Sequence, residues 1–225
     1  MRIALRCGLI ALATVGFTCS QADADTFASS TFGTGLDGWT SNTPSQIAWQ
    51  SVGGNPGGYI QFTDASGDST VVWASSSFLG NYASLGVSSI SFDDNIIAET
   101  QVQSVGQYEI DLSGPGGSAT FLGNQPPATY PTGWITVTAA ISGTAPPSGW
   151  DVTSGTWVGL LANVTQVQIP IELVVNSGST GTYTDVEGID NVNLTGSGST
   201  VPEPATLTLF GVALTGLGLL RRRGR

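Results

Sequence analysis

Sixteen carboxylates and no histidine frame the chemistry open to this 225-residue chain. Its 6 basic residues are all arginines, Arg2, Arg6, Arg221, Arg222, Arg223 and Arg225, so the stretch from Asp25 to Thr200 is acidic with no cationic side chain. Both cysteines, Cys7 and Cys19, precede that stretch. A Ser-His-Asp triad, a thiol nucleophile, a zinc hydrolase of ordinary ligand set and a Schiff-base lysine are therefore excluded there. The Gly53–Gly58 run, GGNPGG, has no accompanying lysine and leads into no helical pattern, unlike a phosphate cradle. Carboxylate-pair chemistry survives, drawn from Asp93, Asp94, Glu99, Glu109, Asp111 or Glu172. Asp93 and Asp94 are adjacent and on a strand would point to opposite faces. Glu109, Asp111 and Glu172 fall on outward strand positions, where a solvated charge is the ordinary explanation. The chain reads as a non-enzyme.

Hard-cation binding needs only oxygen, which this stretch has in abundance. Asp190 shares the parity of Val192 and Leu194 and so points inward at the start of a terminal strand, where a charge must be compensated. Asp37, in Thr34-Gly-Leu-Asp-Gly-Trp39, could supply the other side of a structural Ca²⁺ joining the first and last strands, with Asp185 and Glu187 as further ligands. The alternative is that Asp190 accepts backbone N–H bonds and Asp37 is a turn residue of the Asp-Gly pair. For sugar rings the chemistry is aromatic stacking with polar groups nearby. Trp134 and Trp150 each follow a Pro-x-Gly turn, and with Tyr130 they are the expected glycan contacts; Trp39, Trp49 and Trp73 lie in or beside apolar runs and are expected in the core. The missing cations exclude nucleic acid and anionic membrane surfaces as partners, since both are bound largely through Lys and Arg.

The elements that must position these groups are strands. Ile60 and Phe62 share one face while Tyr59, Gln61 and Thr63 share the other; Ile90 and Phe92, then Tyr108, Ile110 and Leu112, then Ile135, Val137 and Ala139 repeat the period of two. The longest run is Gln166 to Val175, with Val167, Ile169, Ile171, Leu173 and Val175 on one parity and Pro170 on the other, which predicts an edge strand or a bulge. Gly- and Pro-rich clusters at 53–58, 114–117, 146–149 and 176–179 separate the runs. Only Trp157 to Val164 suggests a helical turn. The pattern predicts an all-β protein, a β-sandwich of jelly-roll type.

Both ends differ from this stretch. Met1 to Ala24 has Arg2 and Arg6, an apolar run from Cys7 to Phe17 and then Ala22-Asp23-Ala24, the pattern of an N-terminal signal peptide with an A-x-A cleavage site before Asp25. At the other end stand Pro202, Glu203 and Pro204, an uncharged apolar run from 205 to 220, and the stop-transfer arginines Arg221, Arg222 and Arg223. As a helix that run spans roughly 24 Å at about 1.5 Å per residue, short of a hydrocarbon core of roughly 30 Å but able to enter a bilayer. The arginines would stay cytoplasmic. The expected organisation is a signal peptide over 1–24, a β-sandwich over 25–195, a Gly/Ser linker over 196–200 and a sorting tail over 201–225 with a single C-terminal transmembrane helix at 205–220. The tail resembles the PEP-CTERM sorting signal of Gram-negative bacteria. That resemblance implies an exosortase as processing partner, transient inner-membrane anchoring, and delivery to the cell surface or extracellular matrix.

Within the domain, Phe32-Gly-Thr-Gly-Leu-Asp-Gly-Trp39, Gly53 to Ile60, Phe78-Leu-Gly80, Ser91-Phe-Asp93, Leu161-Ala-Asn-Val-Thr165 and Ile189-Asp-Asn-Val192 together resemble the laminin B family. The resemblance implies an extracellular jelly-roll module laid out like a carbohydrate-binding module, with an adhesive or ligand-binding role. The expected function is non-catalytic adhesion or glycan binding to extracellular polysaccharide or another matrix component. The alternatives are a structural biofilm-matrix component without specific ligand and a polysaccharide-active carboxylate enzyme.

Overall fold

A computed structural model describes residues 24–64, 69–177 and 183–197 of the chain. The expected transmembrane helix, Pro202, Glu203, Pro204 and the arginines after them lie outside the described residues, as does nearly all of the signal segment. Among the described residues no helix is long and apolar enough to cross a membrane.

Strands β1 (Ala24–Ser30), β2 (Thr40–Ser41), β3 (Ile47–Gly54), β4 (Gly57–Thr63) and β5 (Val71–Trp73) precede a short helix, α1 (Tyr82–Leu85). Then come β6 (Val87–Glu99), β7 (Val102–Val105), β8 (Glu109–Gly114), β9 (Gly117–Leu122), β10 (Ile135–Ala140) and β11 (Trp150–Gly155). Helix α2 (Trp157–Leu161) leads to β12 (Gln166–Pro170), β13 (Val174–Asn176) and β14 (Asp185–Ser197). One sheet runs β10-β6-β14-β4-β3 with β1 also on β14; the other runs β11-β9-β8-β12-β5-β2; β13 and β7 form a separate pair. All these pairings are antiparallel, and the expected all-β sandwich is what they build.

The inward residues of the predicted runs meet in one core, with Ile60, Phe62, Ile90 and Phe92 from the first sheet against Val72, Ile110, Leu112 and Val167 from the second. Trp39 closes one side, edge-on to Phe32 at 6.1 Å and to Phe78 at 5.3 Å, its indole N–H donating to Ser30 Oγ. The spine of the first sheet is β14, which has β6 along one side and, on the other, β4 and then β1. A register shift between Asp190 and Asn193, with Asn191 at φ 48°, marks the handover. Residues Gly196 and Ser197, within the stretch expected as linker, continue the strand opposite Asp25 and Ala24.

The run from Gln166 to Val175 does not form one strand. It breaks after Pro170, and β12 lies between β8 and β5, not at an edge. The β8 ladder stops at Gln168, so the missing proline N–H interrupts no bond on that side. Ile171 and Leu173 keep the expected buried parity beyond the break, and it shifts only after Leu173: Val174 is buried and Val175 is exposed.

Where β9 turns back from β8, backbone packs on backbone. A Cβ at Gly116 would lie 2.0 Å from the Gly159 carbonyl oxygen and 2.7 Å from Leu160 N, at the start of α2. Gly116→Ala is expected to push α2 off the sheet and to cost about 1–3 kcal/mol, read as a lower urea midpoint at unchanged slope. A wild-type midpoint would show that this contact relaxes freely.

Candidate functional site

A groove of about 790 Å³ lies where edge strand β10 of the first sheet meets β9 and the turn before β11 of the second. Thr136 and Thr138 of β10 form one wall, and Leu122, Asn124 and Gln125 form the other. None of its lining residues is charged. The second wall is held in place by its own backbone: the Gln107 amide donates to Gly123 O at 2.7 Å, the Gln125 amide to Val105 O at 2.9 Å, and Tyr108 N–H to Asn124 O at 3.1 Å. Leu122 is exposed, an apolar step beside these amides. A groove of neutral amides and hydroxyls with an apolar shelf suits a neutral, hydroxyl-rich ligand.

The aromatic residues expected to meet sugar are placed elsewhere. Trp150 is only 8% exposed, its ring 5.6 Å from Phe121 and 5.3 Å from Trp157, and its indole N–H donates to Ala140 O at 2.8 Å. It is a core residue tying the two sheets together and has no face for a glycan. The turn before it does line the groove, through Ser148 and Gly149. Trp134 is half-buried on the outer side of the first sheet, edge-on to Tyr59 at 5.4 Å, with its indole N–H on Gly53 O. Tyr130 turns its hydroxyl inward, where it has no hydrogen-bond partner; burial raises its pKa, and Glu99, Glu187 and Asp185 add to the rise. Trp49, expected in the core, sits on edge strand β3 and is among the more exposed apolar side chains.

Asp190 points inward as expected and is fully buried, but its oxygens are occupied. Oδ2 accepts Asn55 N–H at 2.5 Å and Oδ1 accepts Asn191 N–H at 2.7 Å. Opposite it on β6, Asp93 takes the Asn55 and Asn191 side-chain amides at 3.0 and 2.8 Å and the Thr136 hydroxyl at 2.6 Å. Asp37 accepts Phe32 N–H at 2.9 Å. Asp93 and Asp190 clamp the Gly54–Gly57 turn onto the β14 bulge. Asp37 and Asp190 belong to none of the groups of three carboxylates that converge among the described residues.

Carboxylates do converge at the start of β14. One oxygen from each of Asp64, Glu172 and Asp185 lies within 4.8 Å of the others, and the same holds for Glu99, Asp185 and Glu187. Glu172, expected on an outward position, is half-buried; its Oε2 accepts Thr70 N–H at 2.9 Å. Burial pushes the Asp185 carboxyl up to about 9, with Glu99 reinforcing the rise. It pushes Asp94 up to about 8, offset in part by the Tyr108 hydroxyl, and raises Glu187 and Glu99 as well. The other carboxylates considered for catalysis do not form an acid/base pair in the groove: Asp111 accepts from Thr120 and Gln168, and Glu109 and Asp111 lie off its lining.

Residues 200–223 match the PEP-CTERM protein-sorting motif, which marks an exported protein. No curated protein matches the chain. Among solved structures it is similar to the family 11 carbohydrate-binding module of Clostridium thermocellum in complex with a β-1,3-1,4-mixed-linked tetrasaccharide, at 15% identity over 79% of this chain and 98% of that one, TM-score 0.45. The L4b domain of human laminin α-2 is similar at 10% identity, over 68% and 83% respectively, TM-score 0.45. An exo-β-agarase is similar at 12% identity over 76% of this chain, which spans only 24% of the agarase, TM-score 0.44.

Proposed function

We propose that this is an exported protein of a Gram-negative bacterium that works at the cell surface or in the extracellular matrix as a non-catalytic, glycan-binding β-sandwich. Its tail is processed by an exosortase after transient anchoring in the inner membrane. The observation that carries the binding reading is the uncharged groove between β10 and β9, with amides of fixed orientation beside an apolar shelf. A neutral polysaccharide offers matching hydroxyls and apolar ring faces, and it is not repelled by a chain with net charge -10. The sorting motif at 200–223 supports the extracellular setting.

Binding is tested with neutral β-glucan, xylan and mannan in affinity electrophoresis. Replacing Asn124 and Gln125 together by Ala is expected to weaken binding by about tenfold, the loss of one or two hydrogen bonds, with the fold intact. Retention unchanged by that double substitution but lost with Trp134→Ala would move the site to the outer face of the first sheet. No retention by any polysaccharide would favour a structural matrix component, and release of reducing ends would favour an enzyme.

A further inference from the structure

On its way into the sandwich β14 turns Asp185 and Glu187 toward the interior before Ile189 continues the same face as core. Across the ladder Asp185 stands directly opposite Glu99 of β6, a pairing of like charges that repulsion disfavours. Two further segments bring carboxylates to the same place. Asp64 follows β4 and is tied there by its N–H to Asp185 O at 3.1 Å; Glu172 follows the break after Pro170. The two convergent groups of three share Asp185 and draw on four separate segments of the chain.

Acidity alone would not make this a site, but the unpaired oxygens do more. Glu187 is 0% exposed; its Oε1 accepts Leu173 N–H at 2.9 Å and its Oε2 has no partner. Asp185 is 2% exposed, and its oxygens meet no N–H or hydroxyl donor, only a second carboxyl, Glu99. Buried polar oxygens are almost always satisfied, and a buried charge needs a counter-charge. No Lys, Arg or His between Asp25 and Thr200 can supply it.

We propose that Glu99, Asp185 and Glu187, flanked by the Asp64 and Glu172 carboxylates that meet the same Asp185, form a structural site for a hard divalent cation of calcium size. The ligand set is oxygen only, which suits Ca²⁺ and disfavours metals that seek nitrogen or sulfur. Calcium takes about six to eight oxygens at about 2.3–2.6 Å, so oxygens across the ion stand roughly 5 Å apart. Groups already within 4.8 Å of one another can close on such an ion with little backbone movement. The ion would join β14 and β6 to the segments after β4 and β12, fastening one end of the sandwich. The site stands independently of the glycan groove.

The test uses the whole protein, stripped with chelator and titrated with CaCl₂ in a calorimeter, with terbium(III) luminescence excited through nearby aromatic rings as a second readout. Uptake of at least one Ca²⁺ per chain, with a melting midpoint raised by several degrees, is expected. Glu99→Gln, a half-buried position chosen so that folding survives, is expected to weaken calcium binding by at least about tenfold, and Asp185→Asn to abolish it. Asp37→Asn is expected to leave uptake unchanged. A folded wild type that takes up no calcium at millimolar concentration overturns the proposal, as does uptake lost in Asp37→Asn but retained in Glu99→Gln.

Discussion

Stripped of divalent ions, the protein is expected to become markedly less thermostable as pH rises from about 4 to about 9. The sign follows from the direction of the shifts. Asp185 is raised from 3.8 to about 9 and Asp94 from 3.8 to about 8, both chiefly by burial, and Glu187 and Glu99 are raised from 4.5. A group whose folded pKa lies above its unfolded one holds its proton more tightly when folded. Its contribution to stability is complete below the unfolded value and is lost as pH climbs through the folded value. Each fully buried group removes up to about 1.4 kcal/mol per pH unit inside that window, so Asp185, Asp94 and Glu187 together put several kcal/mol at stake, with the half-buried, solvent-screened Glu99 adding little. The titratable groups around Asp185 are all acidic or phenolic: Glu99 from β6, Glu187 from β14, Asp64 after β4, Glu172 after β12 and the Tyr130 hydroxyl, with Asp94 and the Tyr108 hydroxyl beside Glu187. They lose protons in shared steps, so the curve should be broad. Saturating calcium should reverse the slope between pH 5 and 8, because an ion competes with protons for the same oxygens. Melting curves at four or five pH values, with chelator and with calcium, read this directly. A chelated protein whose midpoint stays level or rises from pH 5 to pH 8 would show that the carboxylates are solvated and the cluster is open.

The strands were legible because each needs only local information. Alternation marks Ile60 with Phe62, Ile90 with Phe92 and Ile110 with Leu112 as inward pairs, and all six are buried. The short helix at Trp157–Leu161 was likewise visible in its own residues. Local parity also carried Asp190 inward, and the donors that satisfy it, Asn55 and Asn191 N–H, lie in a turn and a bulge of the kind weighed against calcium. The acidic cluster was only half visible. Asp185 and Glu187 share a face by spacing alone, but Asp64, Glu99 and Glu172 reach them through three separate connections that no local pattern encodes. Glu172 is the plainest case. Parity holds through Ile171 and Leu173, which are buried as expected, yet the Glu172 carboxylate is drawn to Thr70 N–H and to Asp64 and Asp185 by segments that its own strand pattern does not encode. The sorting tail needed no fold to be recognised, because its signal is composition in a fixed order at 200–223.

The same weakness explains Trp150 and gives the other large expected effect. A tryptophan after Pro-Ser-Gly has the sequence context of an exposed loop, yet Trp150 opens β11 and faces the sheet it has just joined. Gly149, at φ 93°, takes the turn sharply enough to lie against Phe121: a Cβ there would come within 2.6 Å of that ring. The indole is thereby driven between Phe121 and Trp157, and its N–H reaches across to Ala140 O of β10, the edge strand of the opposite sheet. Trp150→Ala removes a large ring from the core, leaves a void beside two aromatics and frees the Ala140 carbonyl. Such truncations cost about 3–5 kcal/mol, enough to lower the melting midpoint by more than about 5 °C. Trp150→Phe should retain much of the packing and lose the hydrogen bond, at about 1–2 kcal/mol. Trp134→Ala, from a half-buried position on the outer surface, should cost less than Trp150→Ala. Glycan affinity per folded molecule provides the discriminating measurement, because Ala140, Ser148 and Gly149 line the groove while the Trp150 ring does not. Below its melting transition, Trp150→Phe should bind polysaccharide like the wild type. A variant of native stability with abolished binding would instead make Trp150 a ligand contact.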